Sequence, residues 1–423
     1  MNYSKKIHFY LTLLIAFLFP LSKQVIPPLL ILLFINWLFW GNFLKKLKNI
    51  QHKQITLFII GFYVLHVVGL IYTENLEKGL FDVQVKSAIL FLPFIYATSV
   101  YKFNTKQLHF ILISAIAGVF VAVIYCFKTS FFNYFENDPW SIYFFSSRFS
   151  AFMHIGYFGL LLNFTICATV YLLLYYQEKL TLRHWVLAGF VILLFVVSLI
   201  LTTSKNGILT FVVLCVIIGG YLIAKGRRKV LTALLFSLFL LAFVFAIKNS
   251  SIVYGRFKKI ITVLTAPNEN KKTIDSVAAR TLAWSTSVEV FKENFFIGTG
   301  TGDIKDELLK KYEEKNYTGV LKKKLNSHNQ YLQTACALGV VGLMLLLLAL
   351  FVPFAYSIKQ RQYLLSMLMI IIILASITES ILEVQIGVVF FSFFVSVLLY
   401  AKYDDSSIGK LKVQSNEQKS NDF

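Results

Sequence analysis

The sequence predicts an all-α membrane protein that crosses the bilayer about 12 times and carries one long polar loop. Composition is the first observation behind this prediction: 57% of the 423 residues are hydrophobic and 15% are charged, and the mean hydropathy is +0.69. The second is that the apolar residues fall into separate runs, and the third is that a polar stretch, residues 249–333, interrupts them. A soluble globular protein is therefore excluded.

The apolar runs have the length of about 20 residues that a helix needs to cross a bilayer. They cover residues 7–22, 25–44, 55–72, 85–101, 107–128, 152–176, 184–202, 206–224, 229–248, 334–357, 361–379 and 381–401. The first run follows two lysines, but no small-residue cleavage site comes after it, so we expect an uncleaved helix.

This pattern divides the chain into four parts. Residues 1–248 hold the first nine predicted spans, residues 249–333 form the polar loop, residues 334–401 hold the last three spans, and residues 402–423 form a polar tail that we expect to be disordered and cytoplasmic.

The basic residues predict the orientation of the chain in the membrane. The formal net charge is +20, which in a soluble protein would point to nucleic acid, but here most cations lie in short loops beside lipid. They cluster in alternate loops, at Lys45, Lys46, Lys48, Lys53, Lys102, Lys106, Lys179, Arg183, Lys225, Arg227, Arg228, Lys229, Lys359 and Arg361. By the positive-inside rule these loops and both termini are cytoplasmic, so the long loop faces outward, away from nucleotides. Membrane lipids are the expected surroundings, and nucleic acid is not an expected partner.

The cysteines do not predict a metal site. Cys126, Cys167, Cys215 and Cys336 lie within or at the ends of apolar runs and lack metal-ligand spacing. We expect neither a disulfide nor a bound metal.

His328 is the candidate general base. It is the only histidine of the long loop and lies immediately before an apolar run. Near neutral pH a neutral imidazole can accept a proton from a hydroxyl nucleophile. The alternative is a histidine that merely caps the following helix.

Cations elsewhere in the outward regions are candidates to bind an anion. Arg280 has a planar guanidinium suited to phosphate oxygens and precedes Trp284 by one helical turn. Lys205 lies in a short outward turn, where the positive-inside rule disfavours a cation, and Arg148 precedes the sixth span. The alternatives are an ion pair of Arg280 with Glu289 or with a lipid headgroup, and contact of Lys205 and Arg148 with headgroups. His154 is interpreted as a packed helix residue.

Two acids flank the junction of the last two predicted spans. Glu379 and Glu383 lie where ionised groups usually need a partner, so one of them is a candidate to orient His328 or to pair with an arginine. The alternative, favoured for Glu383, is that they simply reach the membrane interface.

The polar loop itself contains two predicted helices. Asp275 or Ser276 can begin the first, in which Leu282, Val288, Phe291 and Phe295 form an apolar stripe that would lie along the membrane. The glycines of residues 298–302 follow, and a second polar helix covers about 303–315. The glycine cluster lacks the Gly-Lys-Ser/Thr ending of a phosphate-binding loop, so we interpret it as a turn between the helices.

The order of these elements resembles the O-antigen ligase family of integral-membrane glycosyltransferases. The resemblance extends from Ser198 to about Tyr400. It is carried by four segments: Arg280-Thr-Leu-Ala-Trp284, Phe296-Ile297-Gly298-Thr299-Gly300, Ser327-His328-Asn329-Gln330-Tyr331-Leu332 and Leu338-Gly339-Val340-Val341-Gly342. Where the family usually has an arginine in a short turn, this chain has Ser204-Lys205-Asn206-Gly207, and lysine lacks bidentate geometry.

The resemblance implies a C-type glycosyltransferase architecture and a reaction without metal, nucleotide or other cofactor. Members take a glycan from undecaprenyl diphosphate and join it to a sugar hydroxyl of lipid A-core at the periplasmic side of the bacterial inner membrane. By this likeness His328 would be the base, Arg280 would hold the donor diphosphate together with Lys205 and Arg148, and Asn329, Trp284 and Glu379 would support them.

Other functions remain open at this stage. An O-antigen or exopolysaccharide polymerase, or a protein O-oligosaccharyltransferase, would use the same lipid-linked donor and differ only in the acceptor. A polysaccharide lipid transporter is less favoured, because internal repeats and charges in mid-helix would be expected in it.

Overall fold

The computed structural model describes residues 2–48, 50–136, 143–225, 255 and 276–403. Within these residues the regular structure is helical, apart from a β-bridge between Asn104 and Lys402. The first ten helices are α1 (Asn2–Leu18), α2 (Ile26–Phe39), α3 (Phe43–Lys48), α4 (Lys53–Val68), α5 (Leu76–Lys86), α6 (Ala88–Thr98), α7 (Thr105–Glu136), α8 (Ile155–Tyr176), α9 (Leu182–Thr202) and α10 (Lys205–Lys225). The polar loop contains α11 (Ser276–Glu293), α12 (Ile304–Glu314) and α13 (Thr318–Lys322), and the chain continues with α14 (Gln330–Lys359), α15 (Tyr363–Thr378) and α16 (Gln385–Tyr400).

The predicted class, an all-α polytopic membrane protein, is confirmed in its coarse form. By length and composition, six helical stretches of the described residues can cross a membrane: Leu76–Thr98, Thr105–Phe135, Ile155–Tyr176, Leu182–Thr202, Lys205–Ala224 and Gln330–Lys359. Four apolar helices are shorter: Ile26–Phe39, Lys53–Val68, Tyr363–Thr378 and Gln385–Tyr400. The predicted number of about 12 stays a prediction, because the span expected at 229–248 lies outside the described residues, as does the tail beyond residue 403.

The core surrounds the last helix. Every residue of α16 from Ile386 to Tyr400 is buried, and the helix packs against α6 and α15. Helix α14 packs along α4 and α15, while α15 contacts α8 and α10. A helix that is apolar on all sides can occupy such a central position, because each of its faces meets another helix.

Helices α11, α12 and α13 form a small second core over the beginning of α14. Its buried residues are Ala279, Ala283, Val290, Ile304, Leu308, Tyr312, Val320, Cys336, Ala337 and Leu338. Of the predicted apolar stripe, Leu282 and Phe291 pack against this core, while Val288 and Phe295 are exposed. That the exposed part lies along the membrane stays a prediction. Small residues of α11 face α14, because they allow close approach of the two helices.

The glycine segment holds the loop against a break in α14. Thr299 and Gly300 donate their backbone N–H groups to the carbonyls of Cys336 (2.8 Å) and Ala337 (3.0 Å), and Val340 donates to Phe295 (2.8 Å). These contacts occur where Gly339 takes φ +64° inside α14. The amides that a phosphate-binding loop would offer to a ligand are thus used within the protein, in agreement with the predicted turn.

A second anchor joins the same segment to the α4–α5 connection. The carboxylate of Asp303 accepts hydrogen bonds from the backbone N–H groups of Glu74 (2.8 Å) and Asn75 (2.7 Å) and from the hydroxyl of Thr73 (2.9 Å). The polar loop is therefore fixed to the membrane helices at two places directly before α12.

Replacement of Gly339 with alanine should destabilise the protein. A Cβ at this position would overlap the carbonyl of Phe296, and the left-handed backbone alone disfavours alanine, so we expect a loss of about 1–3 kcal/mol or more. Thermal unfolding of the detergent-solubilised protein measures this loss. Gly220→Ala is the matched control, because no atom lies within 4 Å of its added Cβ; equal melting temperatures for the two variants would contradict the prediction.

Candidate functional site

The centre of the site is the turn of residues 326–329, which leads into α14. Asn329 caps the helix, with its side chain accepting from the N–H of Leu332 (3.0 Å), while its own N–H donates to the hydroxyl of Ser380 (3.2 Å). His328 has φ +43°, a conformation that is uncommon outside glycine. Its N–H donates to the side chain of Asn326 (3.1 Å). The strained residue is therefore held from both sides, as often occurs at functional sites.

Glu379 joins the two residues that the sequence predicted as catalytic. It follows α15, and its Oε2 lies 3.1 Å from Nδ1 of His328. Its other oxygen, Oε1, pairs with the guanidinium of Arg280 on α11. The side chain of His328 is 26% exposed, that of Glu379 is 18% exposed and that of Arg280 is 23% exposed. They are thus packed enough to be positioned and open enough to meet a ligand.

The surroundings keep Glu379 ionised. Burial of its carboxyl opposes ionisation, but the hydrogen bond with His328 and the charge of Arg280 outweigh it and lower the pKa of Glu379 from its ordinary value. An ionised carboxylate only accepts hydrogen bonds, so Nδ1 of His328 carries the proton in this contact. In the neutral imidazole the lone pair then resides on Nε2, which is the arrangement that a general base requires.

Trp284 supports His328 from the same face of α11 as Arg280. The two residues are four apart, one helical turn, and the indole Nε1–H of Trp284 donates to the carbonyl of His328 (3.3 Å). One turn further, the hydroxyl of Ser287 donates to that of buried Ser327 (2.9 Å). Helix α11 therefore supplies the cation and also fixes the backbone of the histidine turn.

Glu383 has a different position from the one expected. The favoured interpretation placed it at the membrane interface, but its Oε2 lies 2.7 Å from Nζ of Lys86, a side chain that is 1% exposed. Its Oε1 accepts from the side chain of buried Gln330 (3.1 Å), whose own oxygen accepts from the N–H of Leu382 (2.7 Å). Glu383 thus connects α5, the start of α14 and the segment that carries Glu379.

Lys205 lies at the end of the helix bundle that carries the site. It is the first residue of α10, and the side chain of the next residue, Asn206, donates to the carbonyl of Ala375 (3.4 Å), one turn before Glu379. Gly159 near the start of α8 packs against Ser204. The beginnings of α8, α10 and α14 therefore share this end of the bundle, which we call the site face.

Arg148 is not joined to the other candidates by any contact among the described residues. It belongs to a 3₁₀ turn, Ser146–Arg148, and is exposed, with its guanidinium 5.5 Å from the centre of the Tyr143 ring. The structure thus brings together Arg280, Trp284, His328, Asn329 and Glu379 and leaves Arg148 apart.

His154 is a neighbour of the site that the sequence reasoning missed. It caps α8, its Nδ1 accepting from the N–H of Gly156 (3.3 Å). Burial lowers its pKa, and the charges of Glu379, Arg280 and His328 also act on it. The sequence feature that could have pointed to His154 is its position directly before an apolar helix, at the end of that helix predicted to face outward.

This arrangement combines an oriented proton acceptor with a fixed cation. No group of three or more histidine, cysteine, aspartate or glutamate side chains that could hold a metal ion occurs in the described ranges. The chemistry available from the described side chains is removal of a proton beside a region of positive charge, as is needed when a hydroxyl displaces an anionic leaving group.

Comparison with known proteins adds a family to this geometry. Residues 190–347 match the family model described as O-antigen ligase, and no curated protein matches the chain. The matched residues include Lys205, Arg280, Trp284 and His328 and end before Glu379. This match confirms, over residues 190–347, the resemblance inferred from the sequence segments, and it supports an assignment to the O-antigen ligase family.

Proposed function

We propose that this protein is an O-antigen ligase of the bacterial inner membrane. It transfers a glycan from undecaprenyl diphosphate to a sugar hydroxyl of lipid A-core, in lipopolysaccharide biosynthesis. The observation that carries this proposal is the contact of Glu379 with both His328 and Arg280, within a chain whose residues 190–347 belong to the ligase family.

The acceptor hydroxyl is activated at His328. Its proton moves to Nε2 as its oxygen forms a bond to the anomeric carbon of the donor sugar. The resulting imidazolium is stabilised by the carboxylate of Glu379, 3.1 Å from Nδ1. A base held in this way contributes about 10²–10⁴-fold to the rate of such a step.

The bond that breaks joins the anomeric carbon to the diphosphate. The bonding electrons leave with the phosphate oxygen, and Arg280 stabilises the charge that develops there. One nitrogen of its guanidinium pairs with Glu379, while an arginine offers five N–H donors in all. Lys205 is assigned a second contact with the diphosphate on the same face. Because the diphosphate is already a good leaving group, the reaction needs positioning, a base and cations, and neither a metal nor a nucleotide.

The distribution of cations supports the orientation in this proposal. The clusters of lysine and arginine lie in the loops that join the helices at one end, the end predicted to be cytoplasmic. The site face is formed by the opposite ends of these helices. The site face is then periplasmic, and the donor arrives already assembled on its lipid.

The ligase assignment is tested by electrophoresis of lipopolysaccharide from cells that lack the gene, with and without the wild-type gene restored. We expect the whole ladder of O-antigen bands to disappear in the deletion, while full-length glycan accumulates on undecaprenyl diphosphate. Restoration of the gene should reverse both changes. A single repeat unit still attached to core would overturn the assignment in favour of a polymerase, and an unchanged ladder would exclude lipopolysaccharide as the product.

A further inference from the structure

A concave apolar groove runs along the outside of the helix bundle where α2, α6 and α16 meet. It consists of two adjoining cavities of about 330 Å³ and 150 Å³ that share Gln385 and Val389 in their walls. Ile31 and Phe91 line the larger cavity and keep 58% and 41% of their surface exposed. The groove is therefore open to the side, towards the surrounding lipid. We call it the α2/α16 groove.

Among the described residues, the polar side chains that line this groove lie at one end of it. Among its lining residues, the polar ones are Lys23, Gln84, Ser87 and Gln385. All four lie near the starts of α2, α6 and α16. The remaining lining residues are apolar, and on α5 and α6 they extend from Val85 to Ile95, roughly 15 Å along the helices at 1.5 Å per residue. The groove thus has the form of a slot for one hydrocarbon chain with a cation and amides at its mouth.

The mouth of the groove adjoins the site through two chain segments. Lys86 lies between Val85 and Ser87, which line the groove, but its side chain is buried and pairs with Glu383 on the inner side. Glu383 in turn directly precedes Val384, which lines the smaller cavity. The same backbone that forms the wall of the groove therefore carries the buried ion pair beside Glu379.

The cation at the mouth is also within electrostatic reach of the site. Burial lowers the pKa of His154, and the charges that act on this ring are those of Glu379, Arg280, His328 and, more weakly, Lys23. Lys23 is therefore close enough for its charge to act on a residue that neighbours the site.

We propose that the α2/α16 groove binds the polyisoprenoid chain of the lipid-linked donor, in the part nearest the diphosphate. Lys23 lies beside the diphosphate at the mouth, and the chain follows the apolar residues between α2, α6 and α16. This inference rests on the proposed function. A single hydrocarbon chain with an anionic head matches the slot and the charge at its mouth, whereas lipid A-core carries several acyl chains side by side.

Photochemical labelling tests occupancy independently of glycan transfer. The full-length protein, in lipid nanodiscs, carries a benzophenone residue in place of Ile31, and the probe is radiolabelled undecaprenyl diphosphate. Ile113 on α7 is the matched control position, since it is also an exposed isoleucine (49%) and does not line the groove. We expect labelling at position 31 that excess unlabelled undecaprenyl diphosphate removes and excess phosphatidylglycerol does not. Equal labelling at both positions, or equal competition by phosphatidylglycerol, would show that bulk lipid occupies the groove and overturn the inference.

Donor-length dependence tests the consequence for transfer. Ile31→Trp fills the groove, so it should raise the KM for a donor on an undecaprenyl chain about tenfold, the effect of losing roughly two buried methylene groups. The same variant should leave the KM unchanged for a donor whose diphosphate carries a methyl group in place of the polyisoprenoid chain, and Ile113→Trp should change neither value. A KM that rises equally for both donors would contradict the groove as the chain site.

The two experiments separate failure of the groove from failure of the function. If the wild-type protein uses neither donor, the proposed function fails, while the labelling result still reports on the groove. If transfer proceeds and position 31 is not labelled specifically, the groove inference alone fails.

Discussion

His328→Ala should lower the rate of glycan transfer by about 10²–10⁴-fold while the protein still folds and reaches the membrane. The imidazole is 26% exposed, and its side-chain hydrogen bond among the described residues is the one with Glu379. Its loss should therefore remove the proton acceptor with little effect on packing. A transfer assay with purified protein, lipid-linked glycan and lipid A-core measures the effect as a fall in kcat.

The control for this variant is His184→Ala. This histidine is exposed and participates in the capping box at the start of α9, the end of that helix opposite the site face. Its replacement should leave kcat unchanged. If His328→Ala retains wild-type kcat, His328 has only a structural role in the turn before α14 and the base must be sought elsewhere.

Glu379→Gln should lower kcat on the order of 10²–10⁴-fold, as expected when an imidazole loses the carboxylate that fixes its tautomer and stabilises its charged form. Glutamine keeps the size of the side chain and removes its charge, so Arg280 also loses its ion-pair partner. The measurement is the same transfer assay. Glu314→Gln is the matched control, because Glu314 is 51% exposed and lies 3.8 Å from Lys311 on the surface of α12, where an ion pair contributes little. Equal activity of the two variants would remove Glu379 from the site.

Stability should depend on pH through the same carboxylate. The pKa of Glu379 is lowered in the folded state, so its ionised form stabilises the fold at pH values above the ordinary glutamate pKa of about 4.3, and this contribution is lost as the pH falls through the lowered value. The difference in melting temperature between wild type and Glu379→Gln should therefore be positive near neutral pH and shrink below pH about 4. A difference that stays constant with pH would show that the carboxylate does not stabilise the fold through its charge.

The sequence was sufficient for the general architecture and for the chemical character of the site. Membrane helices can be predicted from a single sequence, because a segment that crosses the bilayer must be long and apolar and must form its backbone hydrogen bonds within itself. The long polar loop made Arg280 and His328 conspicuous, since few charged or titratable groups elsewhere in the chain lack an evident topological role.

Contacts between residues far apart in the sequence could not be predicted in the same way. Glu379 and Glu383 are four residues apart and equivalent by pattern, yet one pairs with His328 and Arg280 and the other with Lys86. Which acid meets which cation depends on how α15, the 3₁₀ turn Ile381–Glu383 and α14 pack. The face of α11 that packs on α14 was not evident from the sequence for a related reason: close approach to α14 requires small residues, and hydrophobicity alone does not reveal that requirement.

From its sequence alone, this protein is predicted to be helical, to lie in a membrane and to carry Arg280 and His328 in an order that resembles the O-antigen ligase family. The packing of the helices was needed to identify Glu379 as the partner of His328. It was also needed to show that the glycine segment contacts α14, and that no contact among the described residues joins Arg148 to His328, Glu379 or Arg280. The physical reason is that apolar periodicity and charge bias are local properties of the chain, whereas a proton acceptor is oriented by hydrogen bonds from helices far apart in sequence.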